Sequence, residues 1–91
     1  MQLTQETYEA LVEELAAVEH QRWSHWQDNV HRQSTRLPDG SALIPAPAVE
    51  RWDRQIAAPY SELSEAEKQS DRDQVERYLP VVLKRLGVAR V

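Results

Sequence analysis

The sequence predicts an all-α protein, a small bundle of three to four helices with a Pro-rich loop between the first and the second. Three observations carry that reading. Residues 4–29 hold neither Pro nor Gly and place Tyr8, Leu11, Val12, Leu15, Val18 and Trp26 at helical spacing. Three of the five Pro residues and one of the two Gly fall together in HRQSTRLPDGSALIPAP, a run that interrupts the helical pattern. The string Ser64-Glu65-Ala66-Glu67 then restarts it as a capping box, with Ser receiving an N–H three residues on and Glu reaching back.

Each element follows in order. Thr4 is placed to cap the first helix, and Glu6 adds a negative charge in its first turn, where the helix dipole favours one. The pattern of the first helix fails after Val30. Pro38-Asp39-Gly40 reads as a turn, because Pro presets φ and Gly accepts positive φ, and Ala42-Leu43-Ile44 is the only strand-like stretch. Pro45 and Pro47 suit a helix start, and Val49, Trp52 and Ile56 recur at helical steps, so a second helix is expected over about 46–57, ended by Pro59. The third helix starts at Ser64 with a predicted seam of Val75, Leu79, Val82, Leu83 and Leu86, and Gly87 is placed to end it in a left-handed cap. Pro80 interrupts that run. A missing N–H and a crowded carbonyl predict a kink or break near Tyr78-Leu79, giving a short fourth helix.

Composition narrows the function classes. The 91 residues suit one domain, 1–91, with a core made from few side chains, so self-association would help it. With 11 Lys and Arg against 15 Asp and Glu, the net charge of −4 removes the basic footprint that a DNA or RNA polymer binder needs. No apolar run approaches the ~20 residues of a membrane span. The segment MQLTQETYEA lacks the basic and apolar regions of an export leader, so a soluble, unexported protein is expected. Cys is absent, which excludes disulfides, thiolate metal sites and thiol nucleophiles. His25 and His31 show no ligand spacing, no phosphate-cradling Gly motif is present, and neither a metal nor a cofactor is expected. The aromatic set is three Trp and three Tyr with no Phe, so every aromatic carries a polar handle suited to surfaces that are both apolar and hydrogen-bonding.

Two seams carry charges. At about 100° per residue, Glu19 and Arg22 project close to the stripe of Leu15 and Trp26, and Lys68, Asp71 and Arg72 project near the seam of Val75 and Leu79. Ions at such positions are paired or used. One reading crosses the two helices there and pairs Glu19 with Lys68 or Arg72 and Arg22 with Asp71, as a structural cluster. The other turns the charges toward a ligand. His20 and Trp23 form an H-x-x-W pair one turn apart, on a second flank of the first helix shared with Ala16 and Gln27.

Taken in order, these residues resemble the ryanodine receptor repeat family, helical modules found in calcium-release channels and in bacteria and their phages. The resemblance covers about residues 15–86. His20 and Trp23 match the family's H-x-x-W. Pro59, Tyr60, Leu63, Ser64, Glu67, Lys68, Asp71 and Arg72 match its Pro-Tyr loop, Leu-Ser turn, and Glu-Lys and Asp-Arg helix. Where the channel repeats continue with Gly-Trp and Tyr-Gly, this chain has its Pro-rich insert, and Trp26 with Arg77-Tyr78-Leu79-Pro80 is more similar to the phage-borne members.

The resemblance implies a cytoplasmic protein of a bacterial host that binds without catalysis, its ligand a nucleotide or nucleotide-derived second messenger. The site residues would be His20, Arg22, Trp23, Trp52, Tyr60, Lys68 and Arg72, with Trp23, Trp52 or Tyr60 stacking a base and Arg22, Lys68 and Arg72 meeting phosphates. The alternative is a protein-interaction or scaffold module with no small ligand, its exposed Trp and Tyr contacting another chain. An enzyme using His20 and Glu19 is disfavoured, because neighbouring helix positions point about 100° apart. A homodimer is expected, since the first helix carries two apolar flanks and the chain has room for one repeat only.

Overall fold

The computed structural model describes residues 2–88 and is mostly helical. Its elements are α1 (Gln5–Gln33), a two-stranded hairpin of β1 (Thr35–Arg36) and β2 (Ala42–Leu43), α2 (Ala46–Ala57), a 3-10 turn (Tyr60–Glu62) and α3 (Glu65–Leu86).

Local chemistry sets each boundary. The Thr4 hydroxyl accepts the Thr7 N–H at 3.1 Å and starts α1. α1 outruns the sequence expectation by about one turn, because nothing before Ser34 breaks it and i,i+4 pairs of Asp28 with Arg32 and Asn29 with Gln33 support the last turn. Ser34 closes the helix, its hydroxyl donating to the Val30 carbonyl at 2.7 Å.

The predicted turn closes the hairpin. Gly40 donates to the Leu37 carbonyl at 3.0 Å, Leu37 donates to the Ser41 carbonyl at 2.7 Å, and Gly40 takes φ 90°, the arrangement of a three-residue loop with a glycine bulge. The Asp39 carboxylate accepts from both the Ser41 hydroxyl and the Ser41 N–H, which lowers its pKa. Thr35 then pairs with Leu43 and Arg36 with Ala42, antiparallel.

The capping box forms as read from the sequence. Glu67 N–H donates to Ser64 Oγ at 3.2 Å and Ser64 N–H donates to Glu67 Oε1 at 3.1 Å. At the other end Gly87 adopts φ 68°, and Val88 N–H reaches the Leu83 carbonyl at 3.0 Å, a left-handed cap.

Two expectations about α3 are corrected. The helix runs unbroken through Pro80, so the described residues form three α-helices and no fourth. Pro80 and Glu76 both lie on the exposed side, where water can satisfy the Glu76 carbonyl that the missing N–H leaves free. The predicted seam holds only in part: Val82, Leu83 and Leu86 are half-buried, whereas Val75 and Leu79 are exposed, and α3 bonds to α1 through Tyr78 and Arg85, about a quarter-turn round the helix.

α1 and α3 run antiparallel, joined where Arg85 donates to Glu14 and Tyr78 to Glu19. Toward the C-terminal end of α1 they border a cleft whose third side is α2. Among the described residues only Ala48 is fully buried, at 3% exposure. The Cα radius of gyration is 17.7 Å, against about 12 Å for a compact chain of this length. No helix among the described residues is long and apolar enough to cross a membrane.

Candidate functional site

The cleft has a volume of about 1080 Å³. α1 contributes Arg22, Trp26 and Val30, α2 contributes Trp52 and Ile56, and Leu63 with Ala66, Asp71 and Gln74 closes the α3 side. Its wall is mostly apolar. Trp26 meets Trp52 edge to face with centroids 5.4 Å apart, the main aromatic contact between α1 and α2. Arg51 donates to Gln33 Oε1 at 2.7 Å, and Arg54 lies 3.5 Å from Glu67, so polar pairs hold α2 against both neighbours.

A polar knot sits where α1 and α3 cross. Tyr78 donates its hydroxyl to Glu19, while Arg22 Nε donates to Glu19 Oε2 at 3.0 Å and to the Tyr78 oxygen at 3.1 Å. The Arg22 guanidinium first and the Tyr78 hydroxyl second hold Glu19 down at about 2. The Glu19 carboxylate raises the pKa of Arg22 and, as the hydroxyl's acceptor, that of Tyr78. Glu67 is also held at about 2, chiefly by the Ser64 hydroxyl and N–H, with smaller contributions from Gln55 and Arg54. Two polar atoms in the cleft wall, Glu67 Oε2 and Gln74 Oε1, are buried without a hydrogen-bond partner.

The seven residues singled out from the sequence fall in three places. Arg22 and Trp52 line the cleft. His20 and Trp23 lie outside it on the outer flank of α1, their rings near parallel with centroids 6.2 Å apart. Tyr60, Lys68 and Arg72 gather beside the start of α3, with Lys68 Nζ 5.7 Å from the centre of the Tyr60 ring and Arg72 Nε donating to the Tyr60 hydroxyl at 3.2 Å. Arg72 further donates to Glu65 at 2.9 Å and to Gln69 at 2.9 Å; the Glu65 carboxylate first and the Tyr60 hydroxyl second raise its pKa.

The cross-helix ion pairs considered from the sequence are therefore replaced. Glu19 takes Arg22 from its own helix and Tyr78 from α3, and Arg72 takes Glu65 from its own helix. Tyr78 and Gln74 are what the sequence reading missed. Their signal was the spacing of Asp71, Gln74, Tyr78 and Arg85, a polar stripe at three-, four- and seven-residue steps that an apolar search passes over.

Among the described residues no three His, Asp or Glu side chains converge as a metal site. No family model, curated protein or solved structure matches the chain.

Proposed function

We propose that this protein is a non-catalytic interaction module whose helical bundle is completed by another protein chain. One observation carries the reading: the lone chain leaves its would-be core open. It exposes 7292 Å², whereas a folded monomer of 10.5 kDa exposes about 5,400 Å². The excess of roughly 1,900 Å² exceeds the ~800 Å² that each partner contributes to a standard protein interface. Exposed Trp23, Trp26, Tyr8 and Ile56 supply the large side chains that such interfaces bury. The polar knot of Glu19, Arg22 and Tyr78 fixes how α1 and α3 cross, so the open faces are presented on a defined frame.

Binding of an apolar-surface dye tests this reading. The dilute chain takes up the dye, and association displaces it. A dilute chain that binds no dye and protects its helical amides from hydrogen exchange throughout would overturn it.

A nucleotide-like ligand is the second reading. The observation favouring it is the group of Tyr60, Lys68 and Arg72, one aromatic face beside two cations, which is the chemistry of base stacking and phosphate contact. Membership of the ryanodine receptor repeat family would fit either reading, since the family pattern carries both the Pro-Tyr loop and the Asp-Arg helix.

A further inference from the structure

We propose that a second copy of this chain docks on the outer groove of α3, its own α3 lying antiparallel to the first about a two-fold axis that passes near Pro80. This rests on the interaction-module reading and names its partner.

The groove lies on the open side of α3. Leu79, Pro80, Leu83 and Val88 give it an apolar lining, and Glu76 and Lys84 line it as well. No other element among the described residues contributes to its walls. At 100° per residue, Glu76, Pro80 and Leu83 project about half a turn away from Tyr78 and Arg85, the residues that bond α3 to α1. Leu79 is 41% exposed and Val88 51% exposed, and Val75, one turn before Leu79, is 54% exposed.

Charge selects both the partner and the direction. Glu76 and Lys84 are exposed, and neither belongs to an ion pair among the described residues. By contrast, Arg72 is taken by Glu65 and Arg85 by Glu14. Eight positions separate Glu76 from Lys84, about 12 Å along the axis and twice the spacing at which helical side chains meet, so the two do not pair with each other. An occupant must therefore set a cation against Glu76 and an anion against Lys84, with apolar surface between. A uniformly basic or acidic partner matches one charge and repels the other. The reversed α3 offers the required order, because Glu76 and Lys84 stand four positions to either side of Pro80. A two-fold axis there sets each against its opposite in the other copy, and makes the match twice, with Leu79 and Leu83 of both copies between the charges. A parallel copy sets Glu76 beside Glu76 and Lys84 beside Lys84.

Charge exchange tests the pairing, with mass read by light scattering over a range of concentration. Glu76→Lys or Lys84→Glu alone turns two matched pairs into two like-charge pairs, and each should weaken self-association about tenfold or more. An equimolar mixture of the two variants restores both matches, so it should reach a mass of twice 10.5 kDa at concentrations where either variant alone stays at 10.5 kDa. Rescue in the mixture also shows that both variants are folded. In the natural dimer a carbodiimide, which joins carboxylates to amines in contact, should couple Glu76 of one copy to Lys84 of the other. A dimer indifferent to both single exchanges places the interface elsewhere and overturns the proposal, as does a mixture that stays at 10.5 kDa. A natural chain of 10.5 kDa at every concentration overturns it too. In each of these cases dye binding by the dilute chain leaves the interaction-module reading standing with another interface or partner, and its absence removes both.

Discussion

The hydroxyl of Tyr78 on α3 donates to the carboxylate of Glu19 on α1, and Arg22 holds both partners from one side. This relationship, and the pair of Arg85 with Glu14 five residues earlier on α1, are the polar bonds that tie the first helix to the last among the described residues. The seam between them thus carries hydrogen bonds and charges beside half-buried Leu11, Leu15, Val18, Val82 and Leu86, while Val12, Trp23, Val75 and Leu79 stay exposed.

The knot should make stability pH-dependent in a defined window. Glu19 sits at about 2 in the folded chain against 4.5 ordinarily, so the unfolded state takes up its proton first as the pH falls. Its contribution is complete above about pH 4.5 and is lost between there and pH 2. A double-mutant cycle of Glu19→Gln and Tyr78→Phe, read by denaturation, should show coupling at pH 6 that is largely lost at pH 2. Equal coupling at both would show that the carboxylate is not the group that matters.

Replacing Ser64 with Ala removes the cap of α3 and should cost about 0.5–2 kcal/mol. The same change should raise the pKa of Glu67 from about 2 toward 4.5, because the Ser64 hydroxyl is the first cause of its depression. Carboxyl titration by NMR reads this directly, and an unmoved Glu67 would contradict the capping box as its cause.

Arg72→Ala should leave the unliganded stability almost unchanged. Its partner Glu65 is well exposed, and a surface pair of this kind is heavily screened. Marked destabilisation would revive a buried ion-pair cluster. The same variant examines the second reading: if mono-, di- or cyclic nucleotides raise the melting temperature of the natural chain, Arg72→Ala should abolish that shift. A shift that survives the change would move the ligand away from Tyr60 and Lys68.

Pro80→Ala should stabilise α3 by about 2 kcal/mol. The restored hydrogen bond and relieved clash are worth roughly 3 kcal/mol in a helix interior, less up to about 1 for the freer unfolded chain. Destabilisation would mean that the ring itself packs in the associated state, where it lines a shallow groove with Leu79 and Leu83.

Much of the fold was legible because local chemistry decided it. Thr4, the turn at Pro38-Asp39-Gly40, the start of α2 and both caps of α3 are written in residues that act within four positions of themselves. The third dimension was less legible. An apolar stripe such as Val75 and Leu79 identifies a face that seeks burial, but it does not say whether the same chain or another supplies the cover, and here α3 met α1 through Tyr78 instead. The candidate site shows the same limit. Tyr60, Lys68 and Arg72 came together because the turn and the capped helix place them locally, whereas His20 and Trp23 share α1 with Arg22 but lie outside the cleft that it lines.

The central claim is that one copy of this chain does not complete its own core. Thermal unfolding followed across a wide range of protein concentration, with the mass measured by light scattering on the same samples, tests it most directly. The expected result is a mass of twice 10.5 kDa at high concentration and a melting temperature that climbs with concentration, since association stabilises by mass action. A mass that stays at 10.5 kDa, with one sharp transition at the same temperature in every sample and no uptake of an apolar-surface dye, would contradict it.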